Sequence, residues 1–221
     1  MRNFYFILFF SLIFVFLACG GPKKEEPKSE EEAQKPTTEA VAPETTQALA
    51  QKTNLPAPVW GEIKRAKNPV VFLETNFGNM EIELYWKETP KTAENFLYLV
   101  NKGFYDGLTF HRIVPNFVIQ GGDPLGDGTG GPGYTIPDES TTKKHERGAL
   151  GMAKSGPNTA GSQFYICLRD VFRLDDMGFT PFAHVVKGMD VVDKIALVPN
   201  SGPPDNRALE KVVMINLYEK K

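Results

Sequence analysis

The chain is poor in the residues on which most catalytic chemistry depends. Among 221 residues there are two cysteines and three histidines. His111, His145 and His184 share no ligand-like spacing, so the pattern offers no structural or catalytic metal site. Charge of one sign is scarce too: 25 Lys and Arg stand against 27 Asp and Glu, a net of −2, which excludes a nucleic-acid surface built on charge. No apolar run reaches the roughly 20 residues of a membrane-spanning helix. The glycine-rich stretch 126–133 has no lysine-serine ending and opens no helix, so it is a turn-rich loop and not a phosphate cradle. Cys167, inside Phe-Tyr-Ile-Cys-Leu, has no activating neighbour; it reads as a small buried apolar group, not a nucleophile paired with His111. Asp175-Asp176 reads as a solvated turn and Lys143 to Arg147 as a charged loop lip. Neither an internal repeat nor a collagen-like period is present.

What is present begins with an export signal. Met1-Arg2 precedes an apolar run of about 14 residues, Phe4 to Leu17, that ends in Ala18-Cys19-Gly20. One early positive charge, a short apolar core and small residues at its end are the pattern of a secretory leader. Leu17-Ala18-Cys19 resembles the lipobox of bacterial lipoproteins, with Phe16 where Leu is usual. That resemblance implies cleavage after residue 18 and lipid on Cys19; an uncleaved anchor helix is the alternative. With Cys19 lipidated, Cys167 has no partner for a disulfide.

From Gly21 to about Lys67 the composition turns to Lys, Glu, Pro, Thr, Gln and Ala. Too little apolar surface is available there to offset the entropy of ordering, so residues 19–67 are expected to be a disordered tether. A coil of about 45 residues spans roughly 35–40 Å. Leu55 to Trp60 is expected to be an extended lead-in, with docking on the domain as the alternative. The organisation is thus a signal segment at 1–18, a lipidated tether at 19–67 and one domain at 68–221. The expected location is the bacterial cell envelope, facing the periplasm or on the outer membrane.

About 150 residues suit one domain with a single core. Met80, Ile82 and Leu84 alternate with Glu81 and Glu83, and with Val70 to Thr75 they predict a half-buried hairpin. Thr89-Pro90 predicts a helix start, with Thr as N-cap, Phe96, Leu97, Leu99 and Val100 on its buried side, and Gly103 as its stop. A second helix is expected at Met189 to Ala196, and strands at 148–153, 163–168, 180–186 and 211–218. Many short strands and two helices predict a mainly β, closed antiparallel barrel.

One stretch organises the rest: Phe-His-Arg-Ile-Val-Pro-Asn-Phe-Val-Ile-Gln-Gly-Gly-Asp, 110–123. It predicts strand, turn at Pro115-Asn116, strand. Alternation would place Phe117 with Ile119 on one face and Val118 with Gln120 on the other, with Arg112 delivered from the first strand. A cation, an amide and apolar surface then converge, as a small peptide-binding pocket requires.

This stretch, with Tyr105-Asp106-Gly107 before it and Gly-Pro-Asn-Thr-Ala-Gly-Ser-Gln-Phe-Tyr-Ile-Cys (156–167) after it, resembles the cyclophilin family of peptidyl-prolyl isomerases over roughly Pro69 to Tyr218. The resemblance implies an eight-stranded closed barrel capped by two helices, proline-containing polypeptide substrates, no cofactor and a monomer. It implies a catalytic set of Arg112, Gln120 and Phe117: arginine as donor, glutamine orienting it, phenylalanine under the proline ring. Substrate contacts are implied at Val118, Ala153, Lys154, Gln163, Tyr165, Leu174 and Phe179. Val118 stands in place of Met or Leu, Lys154 in place of Asn, and Tyr165 in place of a frequent Phe, adding a hydroxyl at the pocket floor. Phe179 falls where the family has a pocket histidine, in a segment about one residue longer than usual and without Trp. His111 is implied to be structural. Such a set needs no acid, nucleophile or metal, because the barrier is amide resonance and a donor held near the nitrogen of the twisted bond lowers it. At this level a non-catalytic binding or chaperone module, and a lipocalin-like carrier of apolar ligands, also remain open.

Overall fold

The protein is described from a computed structural model covering residues 52–61 and 64–221. Cys19, the leader and most of the tether lie outside the described residues. All described residues belong to one unit, 41–221.

Eight strands appear in chain order: β1 (Val70–Thr75), β2 (Gly78–Leu84), β3 (Arg112–Val114), β4 (Val118–Gly121), β5 (Ala149–Met152), β6 (Phe164–Cys167), β7 (Pro181–Lys187) and β8 (Met214–Glu219). Among the described residues three helices accompany them: α1 (Pro90–Asn101), α2 (Arg173–Asp176) and α3 (Met189–Ala196). One antiparallel sheet runs in the order β3-β4-β6-β5-β7-β2-β1-β8. The closed barrel expected from the sequence is instead a curled half-barrel. Its end strands β3 and β8 share no ladder, and the seam holds only isolated bridges, such as Thr109 with Val213 and Arg112 with Arg207. With three residues, β3 is too short to carry a closing ladder on its second edge. The expected pair of helices gains a third, the single turn α2.

The hairpin follows its alternation: Val71, Leu73 and Thr75 face inward with Met80, Ile82 and Leu84. In α1 the apolar stripe is buried as expected, and Phe96 meets Tyr105, Phe164 and Phe182 at centroid distances of 5.0, 5.4 and 5.1 Å. Truncating such a residue costs about 3–5 kcal/mol. Gly103, at φ 63°, stops the helix. Its start is not capped as expected. The Thr89 hydroxyl donates back to the Tyr85 carbonyl, and the free N–H groups of Lys91 and Thr92 are taken by the Glu139 carboxylate at 3.0 and 2.7 Å. An anion at a helix N-terminus also complements the helix dipole.

Strands β5 and β6 are buried on both faces. Phe164 and Ile166 enter the main core, whereas Tyr165 and Cys167 enter a second apolar cluster with Val118, Ala149, Val171 and Leu174. This second cluster is the support on which the site is built.

The lead-in is not free either. The Leu55 N–H donates to the Pro132 carbonyl at 2.8 Å, the Tyr98 hydroxyl to the Pro56 carbonyl at 3.1 Å, and the Gly61 N–H to the Glu94 carboxylate at 2.8 Å. Leu55 and Trp60 pack against the main core. They supply apolar area that the rest of the tether lacks, and its burial is what offsets the ordering entropy here.

Candidate active site

A cavity of about 750 Å³ opens beside β4 and β6. It is lined by all ten residues singled out from the sequence: Arg112, Phe117, Val118, Gln120, Ala153, Lys154, Gln163, Tyr165, Leu174 and Phe179. Register brings the polar ones together. Arg112 of β3 pairs with Gln120 of β4, which pairs in turn with Tyr165 of β6. The Arg112 guanidinium donates to Gln120 Oε1 at 3.3 Å, and Gln120 Nε2 donates to Gln163 Oε1 at 2.9 Å. Gln163 Nε2 donates onward to the carbonyls of Gly128 and Gly130 at 3.0 and 2.9 Å. The two glutamine amides therefore have one consistent orientation. Among the described residues Gln120 is the one group that accepts from Arg112; a guanidinium carries five donor hydrogens, so most of its donors are left for a ligand.

The glycine-rich loop is organised from beneath. The buried Asp123 carboxylate accepts the N–H groups of Leu125, Asp127 and Gly128 at 2.8, 3.1 and 2.5 Å. This wraps the loop into a cradle whose carbonyls aim at Gln163.

Phe117 departs from the expected alternation. It lies in the β3–β4 turn, after Asn116 at φ 56°, one residue before the strand begins. Period-two geometry does not reach it, and it packs with Val118 and Tyr165 while Ile119 enters the main core. The Arg173 guanidinium lies 5.0 Å from its ring centroid.

A model of the cyclophilin type peptidyl-prolyl cis-trans isomerase family matches residues 70–219. The chain belongs to that family. It is a cyclophilin-type peptidyl-prolyl cis-trans isomerase. A peptidyl-prolyl cis-trans isomerase of Helicobacter pylori is 44% identical over 138 residues, 61% of this chain and 84% of that one. Human peptidyl-prolyl cis-trans isomerase-like 1 is 41% identical over 155 residues, 68% of this chain and 92% of that one. A crystal structure of a cyclophilin type isomerase from Cryptosporidium parvum superposes with a TM-score of 0.65 at 30% identity, covering 70% of this chain and 98% of that one. A second structure of that protein, with a TM-score of 0.64, was determined in the presence of the dipeptide Ala-Pro.

Within this cyclophilin the departures from the family pattern find physical reasons. The Tyr165 hydroxyl does not reach the pocket floor as expected. It is 2.8 Å from His145 Nε2, and His145 Nδ1 is 2.6 Å from an Asp175 carboxylate oxygen. His145 is fully buried, so the charged loop lip turns one member inward; Asp175 is no solvated turn but that histidine's partner. Burial holds the His145 imidazole below its ordinary value against the pull of Asp175. The neutral tautomer with hydrogen on Nδ1 donates to Asp175 and accepts from Tyr165. Burial pushes the Tyr165 hydroxyl far up, which keeps it a donor. Gly151 makes room for that hydroxyl, since a Cβ there would collide with it.

Lys154 is no free cation at the rim. Its Nζ donates to Asp138 and to the Gly178 carbonyl, both at 2.6 Å, and lies 5.2 Å from the Phe179 ring centroid. It thereby ties the Phe179 segment to the pocket wall. His111 lacks the structural hydrogen bond expected of it: neither ring nitrogen has a partner among the described residues. It sits on a second cavity of about 240 Å³ behind Arg112, and burial lowers its pKa. The Cys167 thiol is pushed up to about 12 by burial. Sequence reasoning missed the part of the pocket lining contributed by Thr53, Pro132, Tyr134 and Thr135. Thr53 carried no motif to reveal it.

Proposed function

We propose that this isomerase acts on X-Pro bonds of exported polypeptides, held at the cell envelope by lipid on Cys19 and working as a monomer. Supporting the chemistry is the Arg112–Gln120–Gln163 chain: a permanently charged donor fork, held through Gln120, beside an apolar wall of Phe117, Val118, Leu174 and Phe179. In this reading the proline ring rests on that wall. Twisting the amide frees the nitrogen lone pair, and Arg112 donates toward it more strongly than toward the planar ground state. Resonance sets a barrier of roughly 18–20 kcal/mol, and a five-decade acceleration removes about 7 kcal/mol of it. One donor does not supply all of that. Positioning by the wall and by the glutamines supplies the rest. The Ala-Pro dipeptide present with the C. parvum relative supports a small proline-containing ligand for this pocket.

Export and anchoring rest on the leader-like run and on Cys19 at its end. Several acyl chains would hold the protein through a high-salt wash that strips charge-bound proteins. Two measurements test the proposal. Exchange spectroscopy on an X-Pro peptide should show turnover by the full chain, and its absence with intact peptide binding would leave a binding module. Mass spectrometry of the mature protein should find an acylated N-terminal Cys19, and an unmodified N-terminus would remove the anchor.

A further inference from the structure

The segment before the family match forms part of the pocket. Residues 52–61 precede the matched region, which begins at Val70. Thr53 nevertheless lines the same cavity as Arg112 and Gln163. The segment is fastened along its length. Lys52 Nζ donates to the Asp106 carbonyl at 2.6 Å, the Leu55 N–H to the Pro132 carbonyl at 2.8 Å, and the Tyr98 hydroxyl reaches the Pro56 carbonyl at 3.1 Å. Leu55 and Trp60 pack on the main core. At the contact with the loop, Gly133 adopts φ 94°, and a Cβ there would stand 2.7 Å from the Thr53 carbonyl. Loop and strap are therefore fitted to each other.

The strap is bonded to the same loop that holds Gln163. Gly128 and Gly130 accept from Gln163, and Pro132, two residues on, accepts from Leu55. The end of the pocket so formed is lined by Thr53, Pro132, Tyr134 and Thr135, none of them charged. An extended peptide seated on Phe117 and Leu174 in the same cavity can reach this neutral wall.

We propose that residues 52–61 are a built part of the substrate site: Thr53 contacts the uncharged flank of a bound peptide beyond the proline, and Leu55 is a positioning residue that holds the Pro132 end of the loop. This rests on the isomerase site proposed above. Long substrates are selected by a wall that the tether itself contributes, whereas a blocked dipeptide is too short to touch it.

The experiment uses the full chain with residues 52–61 replaced by a Gly-Ser stretch of equal length, and separately Thr53→Trp, which keeps the strap and crowds the wall. Kinetic constants are measured well below the unfolding temperature on a blocked Ala-Pro dipeptide and on a proline peptide of about eight residues, which spans roughly 25 Å when extended. In both variants KM for the long peptide should rise about three- to tenfold, which is up to one decade of affinity, with KM for the dipeptide unchanged. A purely structural strap would lower the melting temperature and leave the ratio of the two KM values as it was, and that result overturns the proposal. Should the replacement fail to fold, Thr53→Trp decides alone. Arg112→Ala separates the two levels: turnover surviving it would refute the site reading, whereas its loss alongside an unchanged KM ratio in the strap variants would refute the strap alone.

Discussion

Replacing Arg112 with alanine perturbs the proposed mechanism at its centre. In the structure the guanidinium is half-buried and, among the described residues, holds one side-chain hydrogen bond, at 3.3 Å to Gln120. A long bond of this kind at a partly exposed position contributes about 1 kcal/mol to stability, and a domain of this size then melts about 2–4 °C lower. The effect on turnover is far larger. A preorganised donor aimed at the transition state accounts for about 100- to 1,000-fold in rate, or roughly 2.7–4 kcal/mol. This is about half of the 7 kcal/mol that five decades require. Alanine should therefore lower kcat by two to three decades and still leave catalysis above the solution rate, because in the proposed site Phe117, Leu174 and Phe179 would continue to hold the proline ring. KM should move by less than about threefold, since binding loses one polar contact and no apolar wall. Lysine should recover less than a tenth of the parent rate, as a point charge lacks the planar fork. The assay is cis–trans exchange of an X-Pro peptide by NMR, with melting followed by circular dichroism. A folded alanine variant within about threefold of the parent rate, whether or not it melts those few degrees lower, would refute the assignment of Arg112.

Turnover should be nearly flat between about pH 6 and 8, since a guanidinium and an amide do not titrate there, and a single titration near 6.5 in the rate profile would bring a histidine into the chemistry. Stability should behave differently. Burial lowers the folded-state pKa of His111, His145 and His184, so on acidification the unfolded chain takes up protons first. The melting temperature should be level above about pH 7 and fall as the pH drops through roughly 6.5, continuing down to the folded-state values; a rise over that window would contradict the burial argument. Tyr165→Phe leaves the buried His145 Nε2 without a donor, which costs about 1–3 kcal/mol, while turnover stays within about threefold because the ring remains; an unchanged melting temperature would show the hydroxyl contact to be inert. Cys167, buried and with its thiol pushed up to about 12, should resist alkylation in the native state and react fully in denaturant, and native labelling at neutral pH would mean that the second apolar cluster opens.

Much of this protein was legible along the chain, where the cause is local. Alternation along β2 predicted which of Met80, Ile82 and Leu84 face the core, because a pleat has period two whatever surrounds it. Pro90 and Gly103 marked the ends of α1 through their own backbone preferences. The run from Phe110 to Asp123 carried the arginine, the glutamine and the turn between them, and antiparallel register alone sets Arg112 opposite Gln120.

Other features depended on partners that no local pattern names. The N-terminus of α1 is satisfied by Glu139, 47 residues away from Thr92. The Tyr165 hydroxyl turns to His145 and on to Asp175, 20 and then 30 residues apart in sequence, so a polar group that looked destined for the pocket was claimed from behind. Phe117 escaped the strand's alternation because the turn at Asn116 delays the start of β4 to Val118. Leu55 and Trp60 read as an extended lead-in until the fold offered them a surface, and only then did Thr53 become a pocket residue. The difference is physical: backbone propensity and periodicity act over a few residues, whereas the satisfaction of a buried polar group or an apolar side chain depends on whichever segment the fold brings alongside it.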